Sequence, residues 1–286
     1  MTDCTERHHP EASGNLAGEG REGSPGRAGM SRKVAFLLAA VSVGALAGCS
    51  GVVGARMTFE DTETEKITEI VLAGGRGDVM VTTDGAATKT TIQRIVNGGS
   101  DPGSSYQRAG SVLTLGTECG PDCSLSYQVV TPAAVTVRGE LTSGDVTLSR
   151  VGSVDLRLTS GDVMVEDATG PVKVRTTNGD MNVTGGTEVA VEARNGDISV
   201  LGADGPVTAQ TTSGDIDLKL GAVASVTATA TDGDIDLMVP PGSYRLRADT
   251  HGREDGKEII GITDDPSSPN VLTLRSAGGE LRVIAG

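Results

Sequence analysis

The sequence predicts an all-β fold, a single-chain β-solenoid of the parallel β-helix type with coils of 17–19 residues. Three observations predict it. A Gly-Asp pair recurs at a near-constant interval. Apolar residues alternate with polar ones on both sides of each pair. The 286 residues include no Trp, 2 Phe and 3 Tyr against 41 Gly, too few rings to fill a broad globular centre. Disorder is a poor alternative, because 37% hydrophobic residues in regular alternation is far from the polar bias of disordered chains.

From the N-terminus, residues 1–29 are polar, patternless and rich in Gly. Translation from Met30 would start at a normal export signal, so this leader is read as unstructured or non-native. Cys4, His8 and His9 within it are not read as a metal site. Residues 30–48 have a short basic start at Arg32 and Lys33, then an apolar stretch of 14 residues from Val34 to Ala47. A permanent membrane helix needs about 20 apolar residues, so the stretch suits a cleaved signal. Its ending, Leu46-Ala47-Gly48-Cys49, resembles the bacterial lipobox. That resemblance implies a diacylglycerol thioether on Cys49, cleavage in front of it, and a mature chain held at the membrane by at least two acyl chains, enough for stable attachment. Residues 49–61 then read as a tether, whose last twelve residues reach at most ~40 Å when extended.

The formal charge is −14, and residues 1–48 contain five acids and five bases, so the imbalance belongs to the exported part. An acidic surface repels nucleic acid and anionic lipid heads, and neither is expected as a partner.

Residues 62–286 read as one elongated repeat domain. In its regular block the turns are Gly144-Asp145, Gly161-Asp162, Gly179-Asp180, Gly196-Asp197, Gly214-Asp215 and Gly233-Asp234. The Asp residues are 17, 18, 17, 18 and 19 positions apart. After each Asp, positions +1 and +3 are apolar, as in Val163 and Val165 or Ile216 and Leu218. Upstream pairs such as Val172 and Val174, or Val207 and Ala209, repeat the period of two expected of a strand with one buried face. Gly supplies an unstrained positive φ in the turn, and the Ser, Asn or Asp before it bonds locally.

Such dipeptides also occur in hairpins, so an antiparallel meander competes. Against it, the second turn of each unit is looser ("EDATG", "TGGTE", "GADG"), and the phrase occurs once per two strands. A lone unit buries too few aliphatics to offset the entropy of ordering it, so coils must stack. Gly77-Asp78 and Gly279-Glu280 extend the pattern outward. Between residues 84 and 140 the repeat blurs, and a polar loop interrupts the C-terminal part. Both ends are expected to be irregular capping coils.

Together, "GDVMV" at 77–81, "YQVVTPAAVTV" at 127–137, the serial Gly-Asp turns, "MVPPGSYRLRADT" at 238–250 and the final "LRSAGGELRV" resemble the bacterial surface-protein family known as putative adhesins. That family is a domain of unknown function. The resemblance covers about residues 65–284 and implies a β-solenoid at the cell surface, with no established activity.

Candidate sites are few. Arg76-Gly77-Asp78 spells the tripeptide that integrins read, yet Gly77-Asp78 occupies the repeat's own turn. The stacked Asp residues are expected to be capped within their turns. Bound calcium is the alternative, since clustered oxygens suit it; no cofactor is otherwise expected. Cys119 and Cys123 are expected to pair as a disulfide, because the exterior is oxidising. His251, with Ser243 and Asp249 nearby in sequence, has no nucleophile-elbow motif around it.

The expected protein is therefore a non-catalytic, extracytoplasmic, lipid-anchored binding or scaffold module, with a surface protein, glycan or wall polymer as partner. The alternatives are a polysaccharide-acting enzyme using flank carboxylates, and a calcium-dependent adhesion module.

Overall fold

The computed structural model describes residues 56–98, 103, 105–120, 123–251 and 256–286. The leader 1–29, the signal 30–48, Cys49 and the start of the tether lie outside the described residues.

Strand structure begins with β1 (Arg56–Glu63), β2 (Glu69–Gly75), β3 (Val79–Thr83), β4 (Thr90–Asn97), β5 (Tyr106–Ala109), β6 (Val112–Thr117) and β7 (Ser124–Thr131). The regular block holds β8 (Thr136–Ser143), β9 (Val146–Ser149), β10 (Val154–Ser160), β11 (Val163–Ala168), β12 (Val172–Asn178) and β13 (Met181–Gly185). It continues through β14 (Val189–Asn195), β15 (Ile198–Ala203), β16 (Val207–Ser213), β17 (Ile216–Leu220), β18 (Val226–Asp232) and β19 (Ile235–Val239). The C-terminal strands are β20 (Arg245–Asp249), β21 (Lys257–Ile260), β22 (Val271–Ser276) and β23 (Leu281–Ala285). No α-helix occurs among the described residues.

These strands form two facing sheets. One is ordered β1-β4-β7-β3-β9-β11-β13-β15-β17-β19-β23-β21, the other β20-β22-β18-β16-β14-β12-β10-β8-β2-β6-β5. Each coil gives one strand to each sheet, and within the block every pairing is parallel and in phase, apart from register shifts after Val165 and after Leu201. Val154, Val172, Val189, Val207, Val226 and Leu272 stack in one column. In the other sheet Val146, Val163, Met181, Ile198, Ile216, Ile235 and Leu281 do the same. The parallel solenoid expected from the spacing is the fold, and the antiparallel meander is not.

The core is the thin slab between the sheets, filled by these aliphatics. Alternation of buried and exposed positions, as in β10, β16 and β18, leaves the other face of each strand to solvent. The buried rings among the described residues, Tyr127 and Tyr244, both lie towards the ends. The Tyr127 hydroxyl lies 2.8 Å from the carbonyls of Ser105 and Gly116, and that of Tyr244 donates to the Pro240 carbonyl at 2.8 Å.

The ends depart from expectation. The coil of β2 and β3 does not precede the stack; it lies between the coil of β6 and β7 and that of β8 and β9. Likewise the final coil, β22 and β23, lies inside the coil of β20 and β21. At both ends the chain makes an outer coil out of sequence order, which breaks the repeat interval. The N-terminal end is also not merely irregular. There β4 pairs antiparallel with β7, and β1 with β4, which covers a strand edge that would otherwise stay open. Arg94 of β4 fastens this cap. Its guanidinium meets Asp61 at 3.2 Å, lies 4.9 Å from the Phe59 ring centre and donates to the Gly103 carbonyl at 2.7 Å. The expected tether over 49–61 is therefore too long: residues 56–61 belong to β1, because their backbone pairs with β4.

At the tight turn each Gly has φ between 127° and 149° from Gly77 to Gly233, a region open to little else than glycine. The stack adds a second demand. A Cβ at Gly161, Gly179, Gly196 or Gly214 would sit 2.0–2.2 Å from the carbonyl oxygen of the turn Gly one coil earlier. Gly196→Ala is expected to lower the thermal midpoint by about 5–10 °C. Gly85→Ala, with no positive φ and nothing within 4 Å of its Cβ, is the control. It should stay within about 2 °C, measured by circular dichroism melting.

Candidate functional site

The turns of the repeat form one continuous corner, and its hydrogen bonds follow a one-way pattern. The Gly amide donates forward to the residue before the next coil's Gly: Gly161 to Asn178, Gly179 to Asn195, Gly196 to Ser213. The residue after Asp also donates forward, as Val163 does to the Asp180 carbonyl and Met181 to that of Asp197. Between them the Asp amide points back towards the preceding coil. The side chain of the preceding Asp meets it there.

Oδ1 of Asp145 accepts from the Asp162 amide at 3.0 Å, that of Asp162 from Asp180 at 2.9 Å, and that of Asp180 from Asp197 at 2.9 Å. Asp197 then accepts from Asp215 at 2.9 Å, and Asp215 from Asp234 at 2.8 Å. The column runs further than the regular repeat. Asp78 caps the Asp145 amide at 3.1 Å, Ser126 Oγ caps that of Asp78 at 3.0 Å, and Glu280 donates to Asp234 at 2.7 Å. The expected capping within each turn is thus corrected. Each carboxylate caps the next coil, because that is where an amide lacks a main-chain acceptor.

A charge-assisted bond of this kind contributes about 1.5–3 kcal/mol at best, less when exposed, which offsets the repulsion of like charges stacked ~4.8 Å apart. Arg76-Gly77-Asp78 is absorbed in this column, its carboxylate committed to Asp145. Among the described residues no group of three or more His, Cys, Asp or Glu side chains is arranged to hold a metal ion.

On the flank beside the corner, a shallow acidic groove of about 310 Å³ is lined by Asp180, Asp197, Asp215 and Asp217 among others. Asp236 continues it. Burial, and then the charges of Asp217, Asp234 and Asp215, push its carboxyl above the usual carboxylate range, against the pull of Arg282.

Elsewhere, Cys119 and Cys123 form a disulfide across a Cα separation of 5.4 Å. It borders a cavity of about 450 Å³ lined by Gly75, Arg76, Thr117, Glu118, Gly120 and Thr142. The Ser243, Asp249 and His251 group does not assemble into a nucleophile and base. Ser243 Oγ donates to Asp265 at 2.5 Å, and Asp249 accepts from the backbone amide of His251. With Ser267 also donating, Ser243 holds the Asp265 carboxyl down at about 2. Cys49 lies outside the described residues. Ser126 as the first cap of the column, and a basic groove on the opposite sheet, were not foreseen. The first follows only from the permuted coil order.

Coils of two strands, stacked in parallel and joined at a glycine corner, define the chain as a β-solenoid repeat protein. Residues 121–252 match the profile of the Toastrack family DUF4097. A crystal structure described as a putative adhesin from Bacteroides fragilis superposes with a TM-score of 0.50 at 15% identity, over 82% of this chain and 100% of that one. A second, described as a putative adhesin from Parabacteroides merdae, covers 82% of this chain and 97% of that one at 11% identity, with a TM-score of 0.30. No curated protein matches the chain significantly.

Two outcomes test the corner. Asp180→Ala strips the Asp197 amide of its acceptor and should cost about 1–2 kcal/mol in urea unfolding, whereas Asp180→Asn, which keeps Oδ1, should cost under half of that. Asp236→Asn tests the flank. A carboxyl whose pKa is raised by folding weakens the fold once ionised, so the variant should melt higher than wild type at pH 7. That gain should vanish as the pH falls through the carboxylate range and the native Asp236 takes up its proton.

Proposed function

We propose that this protein is a non-catalytic, adhesin-like binding module of the bacterial envelope, anchored by lipid on Cys49. The observation that carries the proposal is the division of labour along each strand. Inward residues build the core and corner residues lock the coils, which leaves the outward side chains, some of them ion-paired between coils, on display at regular ~4.8 Å intervals. A rigid rack of this kind presents a surface; it does not close around a substrate. Support comes also from the name given to the Bacteroides fragilis neighbour, and from the way Ser243 and Asp249 are engaged away from the His251 ring.

The lipid anchor is supported by the export signal and by Cys49 at its end. The domain begins at Arg56, so a mature chain starting at Cys49 would hold the solenoid close to the membrane surface. Expressed in a bacterial host, the wild type should take up labelled palmitate and remain in the membrane fraction. Cys49→Ser should lose the label and appear in the soluble extracytoplasmic fraction. A wild type exported without lipid removes the anchor from the proposal. Cleavage of wall or uronate polysaccharides by the purified protein, abolished by Asp→Asn changes on the flank, removes its non-catalytic character.

A further inference from the structure

We infer that the sheet opposite the acidic flank carries a binding groove for an acidic polysaccharide, built from Arg157, Arg175 and Arg194 on three successive coils. The inference rests on the reading of the chain as a binding module and names its ligand class and surface.

The chain is strongly acidic, yet its outward positions on β10, β12 and β14 are not. Arg157 and Arg175 are direct register partners, as are Asp155 and Lys173. On the next coil Glu192 stands opposite Arg175, with Arg194 two residues further along the same face. Like charges placed directly opposite weaken a sheet. Only one of the three guanidinium groups is neutralised: Arg175 meets Glu192 at 3.0 Å. Arg157, Lys173 and Arg194 have no ion-pair partner among the described residues. The three arginines are exposed and border a groove of about 350 Å³, with Thr177 and Thr212 also lining it.

Three guanidinium groups outnumber the single carboxylate, Glu192, that lines the groove. Guanidinium groups present planar forks that match carboxylate and sulfate oxygens, and threonine hydroxyls beside them add neutral donors. The spacing selects the ligand. Arg157 and Arg175 lie one ~4.8 Å step apart and Arg194 lies on the next coil two residues along, so a polymer running obliquely across the coils with an acidic group on successive units meets more than one at once. A compact anion would engage one coil only. The acidic corner and flank repel such a polymer, which directs it to the opposite sheet. Arg175 offsets the charge of Glu192, which also lines the groove, while Arg157 and Arg194 make the contacts.

The test uses the purified full chain, with polygalacturonate, dextran sulfate and neutral dextran as probes at 0.15 M salt. Polygalacturonate or dextran sulfate should bind and dextran should not, and which of the two binds distinguishes carboxylate from sulfate recognition. Arg157→Gln with Arg194→Gln should weaken binding at least about tenfold. Arg282→Gln, on the other sheet and paired with Glu258, should leave it unchanged. Circular dichroism melting confirms that the variants are folded. Equal binding by wild type and the double variant, or none by either, overturns the groove. Retention on whole cell envelopes then judges the broader reading separately. Retention that survives in the double variant leaves a binding module acting through another surface, and no retention by the wild type removes that reading as well.

Discussion

A single reversed amide organises this fold. In a parallel stack each coil satisfies its backbone through its two neighbours, and a sharp corner disturbs that exchange. Here the turn glycine and the residue after aspartate both donate forward, while the aspartate amide between them faces back, where no main-chain oxygen is in reach. A buried or half-buried donor left without an acceptor is costly, so the acceptor must come from a side chain. Aspartate is short enough to stand at the corner and reach one coil further. Repeating it lets every coil both receive and supply the cap.

The rest follows from that arrangement. With corners in register the glycine carbonyls crowd the next glycine, so a side chain there is excluded by conformation and by space together. With both strands of each coil in phase, the interior is a slab too thin for rings, and aliphatic columns fill it. The two fully buried rings, Tyr127 and Tyr244, lie in the end coils, where the coil order is permuted. The column ends as its logic requires: Ser126 needs only to accept, and Glu280 needs only to donate.

Much of this was legible before any coordinates. The Gly-Asp interval and the paired apolar slots located the strands of the regular block and their parallel stacking, because each coil there contacts only its neighbours. Glycine at the corner was legible as a positive-φ residue. Its steric role was not, since the clash is with a residue 17–19 positions away. The direction of the Asp caps was also hidden, because nothing in a dipeptide says which coil its side chain reaches. The ends were the least legible. The placement of β3 between β7 and β9 depends on a long excursion through β4, β5 and β6, whose pattern does not resemble the repeat. The basic groove shows how averaging conceals a site: a net charge of −14 pointed away from anionic partners, although three arginines fall on one face.

The most direct test is residue-resolved amide hydrogen exchange at the corner, comparing wild type with Asp197→Ala. In the wild type the amides of Asp162, Asp180, Asp197 and Asp215 should exchange slowly although the corner is exposed. In the variant the Asp215 amide alone should lose its protection, while residue 197 itself keeps the bond to Asp180. Fast exchange at all four wild-type corners, or loss of protection at residue 197 with Asp215 unchanged, would contradict the one-way carboxylate column on which the account stands.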